Sequence, residues 1–264
     1  MRSKSNQKSN NHDKIAKDNA TPKTEGEISG INCLNFQLSI RKITIWLTII
    51  TLALNFLGLI GRGIEFILGI EETTEIVRLV HVAEEGNLTT WFSAMLLLIS
   101  SIVLGFIARA NYRHGKPYGK HWAFLSMIFF LMCLDESARI HELTIEPIRS
   151  LFNVSGVFHY AWVLLAIPFL IILAIAYWKF IRDLPSRSRL LIIIAGIFYV
   201  FSAMGMDMVV GYFISHGIAP RLLEPILITV EELGENLAIV LFIYALLSHL
   251  KTHETISEIS LKMT

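Results

Sequence analysis

The sequence predicts an all-α fold, a polytopic membrane bundle of about six transmembrane helices with both termini on the cytoplasmic side. Three observations carry this expectation. Of 264 residues, 53% are hydrophobic and only 17% charged, where ordinary soluble domains carry about 25% charged residues. The apolar residues gather in long uncharged runs, each of a length that crosses a hydrocarbon core about 30 Å thick. Lys and Arg gather in alternate connections between those runs, which sets the orientation.

Residues 1–38 are rich in Lys, Asn, Ser and Thr and lack apolar periodicity. That composition buries too little surface to offset the entropy of ordering, so it predicts a disordered cytoplasmic tail. No short apolar core follows a basic start, as a cleaved secretory signal would require, and the first apolar run reads as an uncleaved anchor. The transmembrane domain covers 39–252, and 253–264 forms a second cytoplasmic tail. Within the domain the spans fall at 43–68, 88–109, 121–143, 157–180, 189–214 and 222–249.

Gly58, Gly61 and Gly63 lie in the first span, where small residues permit close helix packing. Residues 71–85 place Ile76, Leu79, Val80 and Ala83 at helical spacing, interleaved with Glu71, Glu72, Glu75, Arg78 and Glu85, which predicts an amphipathic helix on the membrane surface. Glu71, Glu72 and Glu75 read as its solvated face. Gly86-Asn87 breaks that pattern, and Asn87 or Thr89 can cap the second span. Pro168 predicts a kink in the fourth span. Pro225 falls in the first turn of the sixth, where its missing N–H costs nothing. Trp91, Trp122 and Trp178 read as interfacial anchors, and His114, His121, His249 and His253 as ordinary interfacial residues.

One set of connections carries Arg41, Lys42, Arg109, Arg113, Lys116, Lys120, Lys179, Arg182, Arg187, Arg189 and Lys251; the opposite set carries Arg62, Arg78, Arg149 and Arg221. The richer set faces the cytoplasm, and the inner membrane follows as the location. A formal net charge of +1 and the absence of a basic stripe with interleaved aromatics exclude a nucleic-acid partner. Cys33 and Cys133 form no disulfide framework or CxxC motif, and Cys133 reads as a small buried apolar residue.

The feature that points to chemistry is a layer of acids at matching depth. Asp135 and Glu136 lie roughly 22–24 Å from Lys120, Asp207 about 27 Å from Arg189, and Glu231, Glu232 and Glu235 roughly 21–27 Å from His249, counting about 1.5 Å per helical residue. His141 and Glu142 sit just above them, His159 opens the fourth span at a similar height, and Glu85 precedes the second. Ionisable groups inside a bilayer are costly and face a bundle interior or a watery cavity. Arg139 is the cation within the layer, at i+4 from Asp135 and i−3 from Glu142, and pairs with one or both. The remaining charge calls for protons or a divalent cation.

Oxygen-rich ligation suits Mn, Fe, Mg or Ca, with Zn if histidines join. Glu232, Glu235, Asp135 and His141 are the first-choice ligands; Glu142, His159, Asp207, Glu231 and Glu85 complete the candidate set. Glu136 is the candidate general base, and Arg139 would orient carboxylates or hold an anionic group. Competing readings are a structural ion pair for Arg139–Asp135 and an aromatic-belt position for His159 beside Tyr160 and Trp162. No G-x-S-x-G elbow, H-E-x-x-H motif or phosphate-binding glycine loop occurs.

Function therefore reads as a metal-dependent membrane enzyme acting on a small or lipid-like substrate. The alternatives are a proton- or cation-coupled transporter or channel, and an accessory or assembly subunit of a membrane complex. The inner halves of spans two to six are almost uniformly apolar, which ranks transport second.

Overall fold

The computed structural model describes residues 39–68, 87–218 and 223–253, and every regular element among them is helical. The expected tails at 1–38 and 254–264 lie outside the described residues, as do the amphipathic helix at 71–85 and, with it, His81, Glu84 and Glu85.

Helix α1 (Ile40–Leu68) buries its polar and small positions and exposes its apolar ones. Thr51 and Asn55 are buried, with Gly58 and Gly61 on the same stripe, while Trp46, Ile49, Phe56 and Leu57 point outward. Such an inverted pattern suits a helix whose outer surroundings are hydrocarbon, because apolar side chains gain nothing there by turning inward. Helix α2 (Leu88–Arg113) starts where Asn87 Oδ1 accepts the Thr90 N–H at 2.7 Å, the cap expected from the sequence. Helix α3 (Gly119–Ala138) ends at Arg139, whose backbone is left-handed (φ 51°, ψ 41°). Two short helices come next, α4 (Ile140–Leu143) and α5 (Ile145–Phe152), and then a 3-10 turn at Gly156–Phe158. The third expected span, 121–143, is thus corrected: regular helix stops at Ala138.

Helix α6 (Val163–Asp183) starts later than the expected 157 and runs on through Pro168. Helix α7 (Ser186–Val200) passes through a π-helical turn, Phe201–Gly205, into α8 (Met206–Ser215). Helix α9 (Leu223–His253) carries Pro225 in its first turn, as expected. Four stretches are long and apolar enough to cross a membrane: Ile40–Gly61, Leu88–Arg113, Val163–Asp183 and Ser186–Ser215. The outward faces of α6 and α7 are correspondingly greasy, with Ile172, Ile175 and Ile197 about two-thirds or more exposed. Aqueous proteins rarely show so continuous an apolar surface.

Helix α9 is the central strut, packing along α1, α2, α7 and α8, while α2 packs along α3. Helix α6 makes no comparably close backbone packing against any described helix. It is clamped at its two ends instead. At the end carrying Lys120 and Arg189, Tyr177 Oη donates to the His121 carbonyl (2.8 Å), and Phe180 packs against the rings of Tyr118, His121 and Trp122. Trp122 is 2% exposed, and His249 of α9 is buried with Nδ1 3.0 Å from Ser188 Oγ. These two therefore belong to the core of the basic end and not to an interface belt. Trp91 and Trp178 do stay outside.

Candidate functional site

A space opens along the middle of α6. It is a cavity of about 490 Å³ between α3, α6, α7, α8 and α9. The lining extends along α6 from Trp162 to Ile181, roughly 28 Å at the helical rise. Its body is apolar, formed by side chains such as Met132, Leu170, Leu173, Ile192, Ile239 and Phe242. One end is different in kind: Asp135 and Glu136 from α3, His141 from α4, Trp162, Asp207 from α8, and Glu231 and Glu235 from α9 all line it. Among the described lining residues there is no Lys or Arg.

The break at Arg139 organises the α3 side. Leaving the helix in a left-handed conformation, the chain folds back so that Asp135 accepts from the His141 backbone N–H (2.7 Å) and meets the His141 ring Nδ1 (2.8 Å). The His141 ring also lies edge-on to Trp162, with centroids 5.3 Å apart. Helix α4 lies beyond the end of α3. Burial pulls the His141 imidazole down, but the Asp135 hydrogen bond and the surrounding carboxylates outweigh it and hold its pKa above the ordinary value. Arg139 turns to Glu142, with Nε at 2.6 Å and Nη2 at 2.5 Å from Glu142 Oε1. Of the two carboxylates that the sequence sets within reach of Arg139, Glu142 is thus a partner.

On the facing side, the π turn adds one residue to the helical winding before Asp207, which rotates the residues beyond it by about 100°. Asp207 then accepts from Trp162 Nε1 at 2.7 Å, closing the acidic-end clamp on α6. Glu231 of α9 lines the same cavity end as Asp207. Gly234 allows this approach of α9: a β-carbon there would collide with Ser202 Oγ of the π turn.

The structure brings together Asp135, Glu136, His141, Asp207, Glu231 and Glu235 around one cavity end. Glu142 and Arg139 form an ion pair outside the lining. His159 is not in the lining either; its carbonyl accepts from Arg149 Nε (3.0 Å) and Nη2 (2.7 Å), and its backbone packs against Gly211. Glu232 does not line the cavity, and its Oε2 is buried with no hydrogen-bond partner. Glu85 lies outside the described residues. Among the described residues, no three His, Cys, Asp or Glu side chains are grouped closely enough to hold one metal ion.

Sequence reasoning missed Trp162 as the donor to Asp207, Tyr199 as a lining residue, and the π turn. A helix N-terminal Trp reads as an interface anchor in any membrane sequence, and a π turn leaves no compositional mark. Gly234, set between Glu232 and Glu235 in the middle of a helix, was the available signal of close approach.

The chain belongs to the family described as Domain of unknown function (DUF8692), whose family model matches residues 44–250. No curated protein and no solved structure matches the chain.

Proposed function

We propose that the protein is a membrane-embedded enzyme that takes the apolar chain of a lipid-like molecule into the α6 cavity and acts on its polar end at the carboxylates. The observation that carries this reading is the cavity itself, roughly 28 Å long, apolar along its body, with five acids and a histidine at one end. A substrate seated there gains burial of each methylene, about 0.8 kcal/mol apiece, and delivers its polar group to Glu136, Asp207, Glu231 and Glu235. Glu136 is the candidate general base. The Arg139–Glu142 pair, outside the lining, would meet the polar group as it enters.

In this reading the chain crosses the bilayer six times, through α1, α2, α3, α6, the α7–α8 rod and α9, with both termini cytoplasmic in the inner membrane. Helix α3, with 20 residues, reaches about 30 Å. Helix α9, with 31 residues, reaches about 46 Å. Both are long enough despite their acids. Lys and Arg on alternate connections support the orientation.

A divalent ion (Mn, Fe, Mg, Ca or Zn) would suit the acids at the cavity end, with Asp207, Glu231 and Glu235 as its holders and Asp135 and His141 beside them. Bound there it would offset their charge and polarise a substrate oxygen. The acids are not pre-gathered around one point, so the ion would be recruited with substrate rather than housed beforehand.

The test incubates the detergent-purified protein, with and without added divalent ions, with a lipid extract of its host and follows products by mass spectrometry. A product that the parent makes and that Glu136→Gln and Glu235→Gln do not make is the expected result. No lipid consumed under any ion condition by a folded parent contradicts it. The length of the cavity also favours a second reading, proton- or cation-coupled transport. That reading requires a polar route past Leu173, Ile181 and Ile192, and uptake into vesicles without chemical change would select it.

A further inference from the structure

Helices α2 and α3 form a groove at the basic end of the bundle that the proposed function does not use. Residues 88–108 are uncharged and rise roughly 30 Å, about the thickness of a hydrocarbon core. Arg109 and Arg113 follow in the last turns of α2 and so reach the level of lipid headgroups. Because α2 is one of the stretches long and apolar enough to cross a membrane, that level holds for either orientation of the chain.

The groove is a hollow of about 350 Å³ over the contact between the two helices. Ser101 Oγ donates to the Ser126 carbonyl (2.7 Å), and Ser126 Oγ donates to the Ser101 carbonyl (2.8 Å), which holds the two backbones close. Gly105, Ala123 and Ser126 supply small side chains to its lining, and the exposed Arg109, Tyr112 and Arg113 stand around them. Phe106 and Ile102, both exposed, lie one and two turns before Arg109 on its face of α2. A basic mouth therefore continues into an apolar track that faces outward.

Charge selects the occupant. From Asn87 to Leu134 the chain has no Asp or Glu, but it carries Arg109, Arg113, Lys116 and Lys120. Among the described residues, the acid at this end is Asp183 of α6, and its carboxylate accepts from Tyr118 Oη. Neither Arg109 nor Arg113 has an ion pair or side-chain hydrogen bond with a described residue. The two are four residues apart on one helix face, where like charges repel, and an anion held between them reverses that repulsion. Each guanidinium presents a planar fork of donors that matches phosphate oxygens two at a time.

We propose that the α2–α3 groove binds one anionic phospholipid of the leaflet at the basic end, its phosphate on Arg109 and Arg113 and its acyl chains along Phe106 and Ile102. Basic pockets between membrane helices recognise acidic headgroups in this way. A zwitterionic lipid would bring an ammonium group to the same two arginines and is disfavoured. Soluble phosphate lacks the chains that cover the apolar track. The site stands independently of the lipid-enzyme reading, since neither arginine lines the α6 cavity.

The experiment follows thermal unfolding of the full chain in an uncharged detergent while phosphatidylglycerol, or phosphatidylcholine with the same acyl chains, is added to the micelles. The site predicts a saturable rise of several degrees in Tm with phosphatidylglycerol and little with phosphatidylcholine. Arg109→Gln/Arg113→Gln should need about 30-fold more phosphatidylglycerol for the same rise, taking the ordinary worth of one cation at an anionic lipid surface for each arginine. Lys179→Gln/Arg187→Gln removes as much charge from the same end and should keep the parent's curve. Fluorescent phosphatidylglycerol bound to the parent, displaced by its unlabelled form and not by phosphatidylcholine, supplies a readout that needs no variant to fold. Equal curves for the two lipids overturn the proposal. So does an equal loss in both double variants, which would mark a general charge effect, or a Tm rise given by inorganic phosphate alone.

Discussion

Replacing Gly234 by alanine tests whether close contact between α9 and the π turn positions the acids. A β-carbon at Gly234 collides with Ser202 Oγ, comes within 3.0 Å of Ser202 Cβ and within 3.6 Å of Phe198 Cε2. Rotating the serine hydroxyl away removes only the first of these, because Ser202 Cβ is fixed by the backbone. Carbon atoms settle at about 3.5–4.0 Å, so the helices must part by roughly 0.5–1 Å. Overpacking of that size costs about 1–3 kcal/mol, and alanine returns about 0.8–1.0 kcal/mol in helix propensity. The net expectation is a loss of about 1 kcal/mol, read as a lower midpoint in equilibrium unfolding of the purified protein. Ser202→Gly removes both Oγ and Cβ, so the double variant Gly234→Ala/Ser202→Gly should be more stable than the sum of the single effects implies. A Gly234→Ala protein at least as stable as the parent, or strict additivity in the cycle, would refute the reasoning.

The same geometry sets three further outcomes. Trp162→Phe deletes the indole donor to Asp207 (2.7 Å); it should cost about 1.5–3 kcal/mol in the same unfolding assay and loosen the acidic-end clamp on α6, seen as faster amide exchange near Val163. Arg139 sits at φ 51°, so Arg139→Gly relieves left-handed strain of about 1 kcal/mol while losing a partly exposed ion pair worth at most about 1 kcal/mol. Stability should stay nearly level, whereas Arg139→Val, losing the pair without relieving the strain, should fall well below both. The His141 imidazole has a raised folded pKa through Asp135, so its stabilising contribution is complete below about pH 6.5 and fades as pH rises through the folded value. Unfolding midpoints across that window should decline with pH in the parent more than in His141→Asn, and parallel profiles would contradict the assignment.

How much was legible in the sequence varied with the kind of residue. Asn87 as a cap, Pro225 in a first turn and the small stripe of Gly58 and Gly61 followed from local backbone chemistry, and the structure has each in place. Counting along the helices set the six acids at a common height, and five of them line one cavity. What helical counting could not supply was rotation. Glu231 and Glu232 share a height, yet one lines the cavity and the other does not, since neighbours on a helix differ by about 100°. The left-handed Arg139 and the π turn before Asp207 each change the winding, and both are settled by tertiary packing rather than by local preference. His159 and Glu142 were placed with the other ligands by height alone and are held elsewhere by Arg149 and Arg139.

The most direct test of the central claim uses Gly196, which lines the cavity and has nothing within 4 Å of where a side chain would begin. Phenylalanine there occupies the cavity without clashing at the backbone, so folding should be preserved. Native mass spectrometry of the parent, purified in mild detergent, should show one lipid-sized adduct per chain that is missing from Gly196→Phe. An adduct retained in full by the Gly196→Phe protein would place the bound molecule on the outer surface and contradict the account.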